Sequence, residues 1–113
     1  MSDEKANAPQ MTETMMSEII KRIRDAVEVE KIILFGSWAW GEPGGSSDVD
    51  LFVIVPQSTE PSYRRVRPIL RRLHGIGVPI DVIVQTRAEA ERGRRVATSL
   101  ATSVMEKGRV LYG

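Results

Sequence analysis

The stretch KIILFGSWAWGEPGGSSDVDLFVIVP, residues 31–56, decides how this chain folds. It predicts an apolar strand over 32–35, a Gly-Ser turn into a short helical segment, a loop rich in Gly, Pro and Ser, and a second strand that begins with two aspartates. Side chains alternate between the two faces of a strand, so Asp48 and Asp50 project to one side and Val49 to the other. The pattern therefore predicts two carboxylates side by side at the mouth of a buried strand.

The two aspartates indicate a cation site. Like charges held a few ångströms apart repel each other and raise each other's proton affinity unless a cation lies between them. Hard oxygen ligands suit Mg²⁺ or Mn²⁺, and Mg²⁺ usually binds through one or two carboxylates together with substrate phosphates. Gly36 and Ser37 follow the first strand, and the backbone N–H groups of this turn, with the Ser37 hydroxyl, are suited to phosphate oxygens. Together these residues predict a metal-dependent phosphate site.

Each of these features also has a purely structural explanation. Ser-Ser-Asp is a common turn sequence before a strand, and Ser37 is equally suited to be the N-cap of a short helix. Asp81 argues against the structural explanation, because it stands in the otherwise apolar run Val78–Val84. An unpaired carboxylate in such a strand is costly without a cation. Alternation places Asp81 and Ile83 on one face of this third strand.

The order and spacing of these residues resemble a known family. Gly36-Ser37, Gly41 and Ser47-Asp48-Val49-Asp50-Leu51 are similar to the GS…G…SDxDL signature of the nucleotidyltransferase superfamily. The resemblance is to its shortest form, the minimal nucleotidyltransferase (MNT) domain found beside HEPN-domain proteins in bacteria and archaea, and it covers roughly residues 12–112. It implies an α/β fold with a small mixed sheet flanked by helices, in which the strands of Asp50 and Asp81 are neighbours.

The same resemblance implies nucleotidyl transfer, in which an acceptor hydroxyl attacks the α-phosphorus of a nucleoside triphosphate and pyrophosphate leaves. It implies that Asp48 and Asp50 hold two divalent ions, Mg²⁺ with Mn²⁺ as the alternative, and that Asp81 binds the ion beside the acceptor and helps to remove its proton. The nucleotide contacts that it implies are Gly36, Ser37 and Ser47.

The sequence departs from the family after the Gly-Ser turn, where members usually carry basic residues and this chain has Trp38 and Trp40.

Three functions of different classes remain open. The first is transfer of AMP from ATP, or less readily of another NMP, to a hydroxyl of a protein partner such as a HEPN toxin, which makes this chain an antitoxin. The second is a binding module of the same fold that neutralises a partner by contact, with weak or no catalysis. The third is a small-molecule nucleotidyltransferase.

Length and composition favour one cytoplasmic domain. The 113 residues predict a disordered polar tail over 1–10 and a single domain over 11–113. The 16 basic and 15 acidic residues nearly cancel, so the overall charge gives no case for nucleic-acid or membrane binding. The absence of cysteine excludes disulfides, thiolate metal sites and cysteine nucleophiles. No membrane span or secretion signal is visible, and the sequence does not distinguish a monomer from a homo-oligomer.

Helical periodicity predicts amphipathic helices over 12–29 and 63–73. Pro68 falls inside the second, so this helix should restart near Arg67. Its predicted solvent face is basic, and it is either a solvated surface or a contact for an acidic partner. A protein partner is favoured over RNA, because no aromatic residues that could stack on bases alternate with the arginines. The arginines of this face are Arg64, Arg65, Arg67, Arg71 and Arg72.

The last third of the chain completes the order of elements. It predicts a third strand over 80–85, a helix over 88–107 and a helix end at Gly108. The tail RVLYG, residues 109–113, is predicted to add a short closing strand or to lie against the sheet. Helices and strands in this order predict an α/β sandwich with a small mixed sheet.

Overall fold

The computed structural model describes residues 13–36 and 48–113. Several sequence-based predictions lie outside these residues and concern the tail over 1–10, the short helical segment after Gly36 and the loop that ends at Ser47. The structure does not describe residues 37–47, which include both tryptophans.

A four-stranded mixed sheet forms the centre of the described structure. Its strands are β1 (Lys31–Phe35), β2 (Val49–Val55), β3 (Ile80–Thr86) and β4 (Arg109–Tyr112), in the order β3-β2-β1-β4. β1 is antiparallel to both β2 and β4, whereas β2 and β3 are parallel. The structure therefore confirms the α/β class, the mixed sheet, the closing strand in the tail and the adjacency of the two strands that carry aspartates.

Helices cover both faces of the sheet. They are α1 (Glu13–Ala26), α2 (Ser62–Arg65), α3 (Arg67–Leu73), α4 (Arg87–Arg94) and α5 (Leu100–Lys107). The main core packs α1 and α3 on one face, where the buried residues of β2 are Val49, Leu51, Val53 and Val55. A smaller core packs α4 and α5 on the other face against β1 and β2. None of the helices in the described ranges is long and apolar enough to cross a membrane.

The predicted restart of the second amphipathic helix is confirmed. α2 ends at Arg65 and α3 begins at Arg67, with Pro68 in its first turn. Proline lacks the backbone N–H, and the first turn of a helix is where that donor has no intrahelical acceptor. Pro68 therefore begins a new helix instead of interrupting one.

The single helix predicted over 88–107 is wrong, because the structure has two helices there, α4 and α5. Ser99 is the N-cap of α5, and its hydroxyl accepts a hydrogen bond from the Thr102 N–H at 3.1 Å. The Thr102 hydroxyl donates to the carbonyl of Val96 at 2.9 Å. Gly93 lets the helices approach, since a Cβ there would lie 3.0 Å from the Cβ of Ala101. Capping side chains thus make two short helices preferable to one.

Candidate active site

Asp50 and Asp81 lie side by side on parallel neighbours. In the register of β2 and β3, Asp50 pairs with Asp81, and the pairing continues without a break to Val55 and Thr86. Residues that pair in register project from the same face of a sheet. The two carboxylates therefore emerge together near the amino ends of β2 and β3, and Asp48 precedes β2 directly. The sequence-predicted alternation along β2 is confirmed, since Val49 and Leu51 lie in the opposite, main core.

Gly36 forms the floor beside Asp50. Asp50 also pairs with Phe35, the last residue of β1, so the turn after β1 runs past its side chain. Gly36 has φ 79°, a left-handed conformation that side chains rarely adopt. A Cβ at Gly36 would collide with Oδ2 of Asp50. The Asp50 carboxylate therefore occupies the space that a side chain at position 36 would need.

The electrostatics of the site centre on Asp50. Desolvation by burial raises the pKa of this carboxyl, and the negative charges of Asp81 and Asp48 raise it further. Asp50 is half-buried, whereas Asp81 is exposed. A carboxyl with a raised pKa beside two others has a high affinity for any positive charge that reaches it. The site thus places a partly desolvated carboxylate beside one that is open to solvent.

The described carboxylates supply oxygen ligands of the type that a divalent cation binds, and a bound substrate would have to supply the rest of its ligands. Within residues 13–36 and 48–113, no group of three or more His, Cys, Asp or Glu side chains converges closely enough to hold a metal ion. Carboxylate oxygens are nevertheless the donors that Mg²⁺ and Mn²⁺ prefer, and Mg²⁺ commonly completes its shell with phosphate oxygens. Ser37 and Ser47, the other predicted phosphate contacts, lie outside the described residues.

One arginine of the predicted solvent face has a largely buried side chain. The side chain of Arg65 is only 10% exposed and forms two hydrogen bonds with Glu89, at 2.6 and 2.9 Å. Glu89 also accepts from the Thr86 N–H at 2.9 Å, as part of a capping box that starts α4. The prediction that Arg65 belongs to a solvated face is therefore wrong. The capping box Thr-x-x-Glu was visible in the sequence, but the partner of its Glu was not.

The sequence matches a family model and is similar to two proteins of known sequence. A family model described as a nucleotidyltransferase domain matches residues 16–111. Two proteins of Methanocaldococcus jannaschii that carry the provisional name protein adenylyltransferase are similar in sequence. One is 33% identical over 66 residues, which are 58% of this chain and 66% of that protein, slightly less than two thirds of its length. The other is 32% identical over 84 residues, which are 74% of this chain and 79% of that protein.

The fold also matches solved structures. One example is a chain in a complex between a tri-AMPylated HEPN toxin of Shewanella oneidensis and an MNT antitoxin. The TM-score is 0.53 at 22% identity, and the match covers 88% of this chain and 71% of that chain. Similarity at this level of identity establishes the shared fold and nothing finer.

Proposed function

The chain belongs to the nucleotidyltransferase domain family, and we propose that it transfers AMP from ATP to a hydroxyl of a protein partner such as a HEPN toxin, acting as an antitoxin. The observation that carries this proposal is the register pair of Asp50 and Asp81 beside Gly36. The provisional name of the two archaeal relatives, protein adenylyltransferase, supports the type of transfer. The solved complex of an AMPylated HEPN toxin with an MNT antitoxin supports the type of partner.

The three carboxylates have different tasks in this proposal. Asp48, Asp50 and Asp81 would hold Mg²⁺, which supplies charge neutralisation for the triphosphate and a lowered pKa for the attacking oxygen. Asp81 is exposed, so it can accept a hydrogen bond from the acceptor hydroxyl and take its proton. Asp50 lies against the backbone of Gly36, which limits the positions that its carboxylate can take. Ser37 and Ser47 would bind phosphate oxygens together with the backbone of Gly36.

A transfer assay tests the catalytic assignment. The chain is incubated with Mg²⁺, ATP labelled at the α-phosphate and a HEPN-type partner, and label on the partner is measured. We expect Asp48→Asn and Asp50→Asn each to reduce transfer more than about a hundredfold, since each removes a proposed cation ligand. Asp25→Asn is the matched control, because Asp25 lies on α1 and is half-exposed, in an ion pair with Lys21. Near wild-type transfer in either site variant would contradict the assignment.

The contact-only function has its own support in Trp38 and Trp40, which replace the basic residues that usually accompany the triphosphate. It predicts a different outcome in the same assay. The wild type would then neutralise the partner without labelling it, and Asp50→Asn would neutralise it equally well. A small-molecule nucleotidyltransferase would instead label a low-molecular-weight hydroxyl compound and leave the protein partner unlabelled.

A further inference from the structure

A cleft opens at the end of the parallel strands opposite the aspartates. It has a volume of about 590 Å³ and lies between the segment that follows α1, the loop after β2 and the helices α2 and α3. Its floor includes Val55 at the end of β2 and Val84 of β3. Asp50 lies five residues before Val55 on β2, which corresponds to about 16 Å along an extended strand. The cleft is therefore separate from the aspartate site.

Three arginines along one wall of the cleft are available for a ligand. Arg64, Arg67 and Arg71 line it and are exposed, and within the described part of the chain none of them forms an ion pair. Arg67 and Arg71 lie four residues apart on α3, where like charges destabilise a helix, and Arg64 lies on α2, the helix before it. Arg67 lies over the ring of Tyr63, 5.7 Å from its centroid, which leaves its charge uncancelled. Repulsion among these positive charges therefore lowers the stability of this part of the fold.

The fourth arginine of the cleft has a structural role. Arg65 is paired with Glu89, and its Nε donates to the carbonyl of Glu60 at 2.7 Å. That hydrogen bond fixes the end of the loop formed by residues 57–60, which lines the cleft with amide and hydroxyl groups. Arg65 thus shapes the cleft, while the three unpaired arginines supply its charge.

We propose that this cleft binds a phosphorylated small molecule without a metal ion. Guanidinium groups form charge-assisted, paired hydrogen bonds with phosphate, and the volume lies in the range of small-molecule sites. Glu28 and Glu60 also line the cleft and can accept hydrogen bonds from hydroxyl or amino groups of the same ligand. Crevices outside the carboxyl ends of parallel strands are common ligand sites. The class is a nucleotide or a sugar phosphate, and the site is independent of the proposed transfer activity.

The two carboxylates that line the cleft make a nucleic acid an unfavourable ligand. A polyanionic backbone gains affinity by neutralising a phosphate with each contact, and Glu28 and Glu60 would each repel it. The concave shape likewise suits a compact ligand better than an acidic protein surface, which binds over broad and nearly flat areas. Both alternatives are outcomes of the experiment below.

Isothermal titration in EDTA provides the test, with ADP, ribose 5-phosphate and inorganic tripolyphosphate as separate probes. We expect at least one probe to bind the wild type without metal, and the comparison of the three distinguishes nucleotide, sugar phosphate and phosphate alone. Backbone amide shifts should change at residues 57–60 and 64–71. Changes centred on Gly36 and Asp50 instead would assign binding to the aspartate site and overturn the proposal.

Matched variants separate specific binding from general charge. Arg64→Gln/Arg71→Gln should weaken binding roughly tenfold or more, as expected for losing charge-assisted hydrogen bonds. Arg72→Gln/Arg95→Gln removes the same charge from exposed positions that do not line the cleft, and it should retain affinity, as should Asp50→Asn. Equal affinity in the cleft variant and the wild type would overturn the proposal. So would binding of an acidic peptide or a short RNA when none of the three probes binds.

Discussion

At the scale of single residues, Gly36 and Asp50 form the most constrained contact of the site. Gly36 combines a left-handed backbone with a position where any side chain would meet Asp50 Oδ2. The sequence indicated Gly36 as a residue that lets a phosphate approach the backbone. The structure adds a second reason, which is that the glycine makes room for the neighbouring carboxylate.

We predict that Gly36→Ala lowers both stability and transfer. The left-handed conformation alone costs a non-glycine residue about 1–3 kcal/mol, and the collision with Asp50 adds to that and displaces the carboxylate. Gly75→Ala is the matched control, because Gly75 has φ 83° but nothing within 4 Å of an added Cβ. Urea unfolding and the transfer assay should show a larger loss for Gly36→Ala in both measurements. If the two variants lose equal stability and keep equal transfer, the contact with Asp50 has no functional role.

At the scale of elements, one ion pair connects three of them. Arg65 belongs to α2, Thr86 ends β3 and Glu89 is the third residue of α4. Arg65 also donates to the Val84 carbonyl at 3.4 Å. The hydrogen bonds from Arg65 are the main reason that the pKa of Glu89 falls to about 2, and the Thr86 N–H lowers it further. The pair therefore holds α2 and α4 at one edge of the sheet.

This ion pair predicts how stability depends on pH. Folding lowers the pKa of Glu89 from 4.5 to about 2, so its contribution is fully present above pH 4.5 and is lost as pH falls toward 2. Glu89→Gln should lower the free energy of unfolding by about 2 kcal/mol at pH 7, less than the pKa difference implies because solvent screens a partly exposed carboxylate. Its difference from the wild type should vanish near pH 2.

Urea titrations from pH 7 to pH 2 measure this difference. Glu91→Gln provides the control, because Glu91 is an exposed residue of the same helix and forms no ion pair within the described ranges. If the wild type and Glu89→Gln differ by the same amount at every pH, ionisation of Glu89 does not stabilise the fold; if they do not differ at all, neither does the pair.

Local patterns predicted most elements, and long-range partners account for the differences. The alternation of side chains between the two faces of β2 and the proline restart at Arg67 depend on neighbouring residues, and both are confirmed. Arg65 was assigned to solvent because its partner Glu89 lies 24 residues away. The break between α4 and α5 depends on which carbonyls the side chains of Ser99 and Thr102 reach. Periodicity contains no information of that kind.

The same limit applies to the site. The paired aspartates and Asp81 were identified from the sequence by their position in apolar strands. Their register, with Asp50 opposite Asp81, depends on a parallel pairing that periodicity does not determine. The arginine cleft could not be predicted from the sequence, because its walls come from the segment after α1, the loop after β2 and the helices α2 and α3.

At the scale of the whole molecule, charge of opposite sign is concentrated at the two ends of β2 and β3. The aspartates lie near the amino ends and the unpaired arginines beyond the carboxyl ends. A nucleotide is therefore expected to bind in two ways, with a cation at the first end and without one at the second. Thermal unfolding of the intact protein reports on both, because a ligand that binds only the folded state raises its stability.

The last prediction uses Asp50→Asn to separate these contributions. Folding raises the pKa of Asp50, so stability falls as pH rises from the unfolded to the folded pKa, and the full loss is present above the folded pKa. The variant without ligand should therefore melt no lower than the wild type at neutral pH. A non-hydrolysable ATP analogue in EDTA should stabilise both proteins equally through the arginine cleft. Replacing EDTA with Mg²⁺ should add a further gain in the wild type, roughly 2.7 kcal/mol at a hundredfold excess over Kd, and little in the variant. Six thermal melts measure this, for both proteins in buffer, with analogue and EDTA, and with analogue and Mg²⁺. An equal Mg²⁺-dependent gain in both proteins would show that Asp50 does not hold the cation.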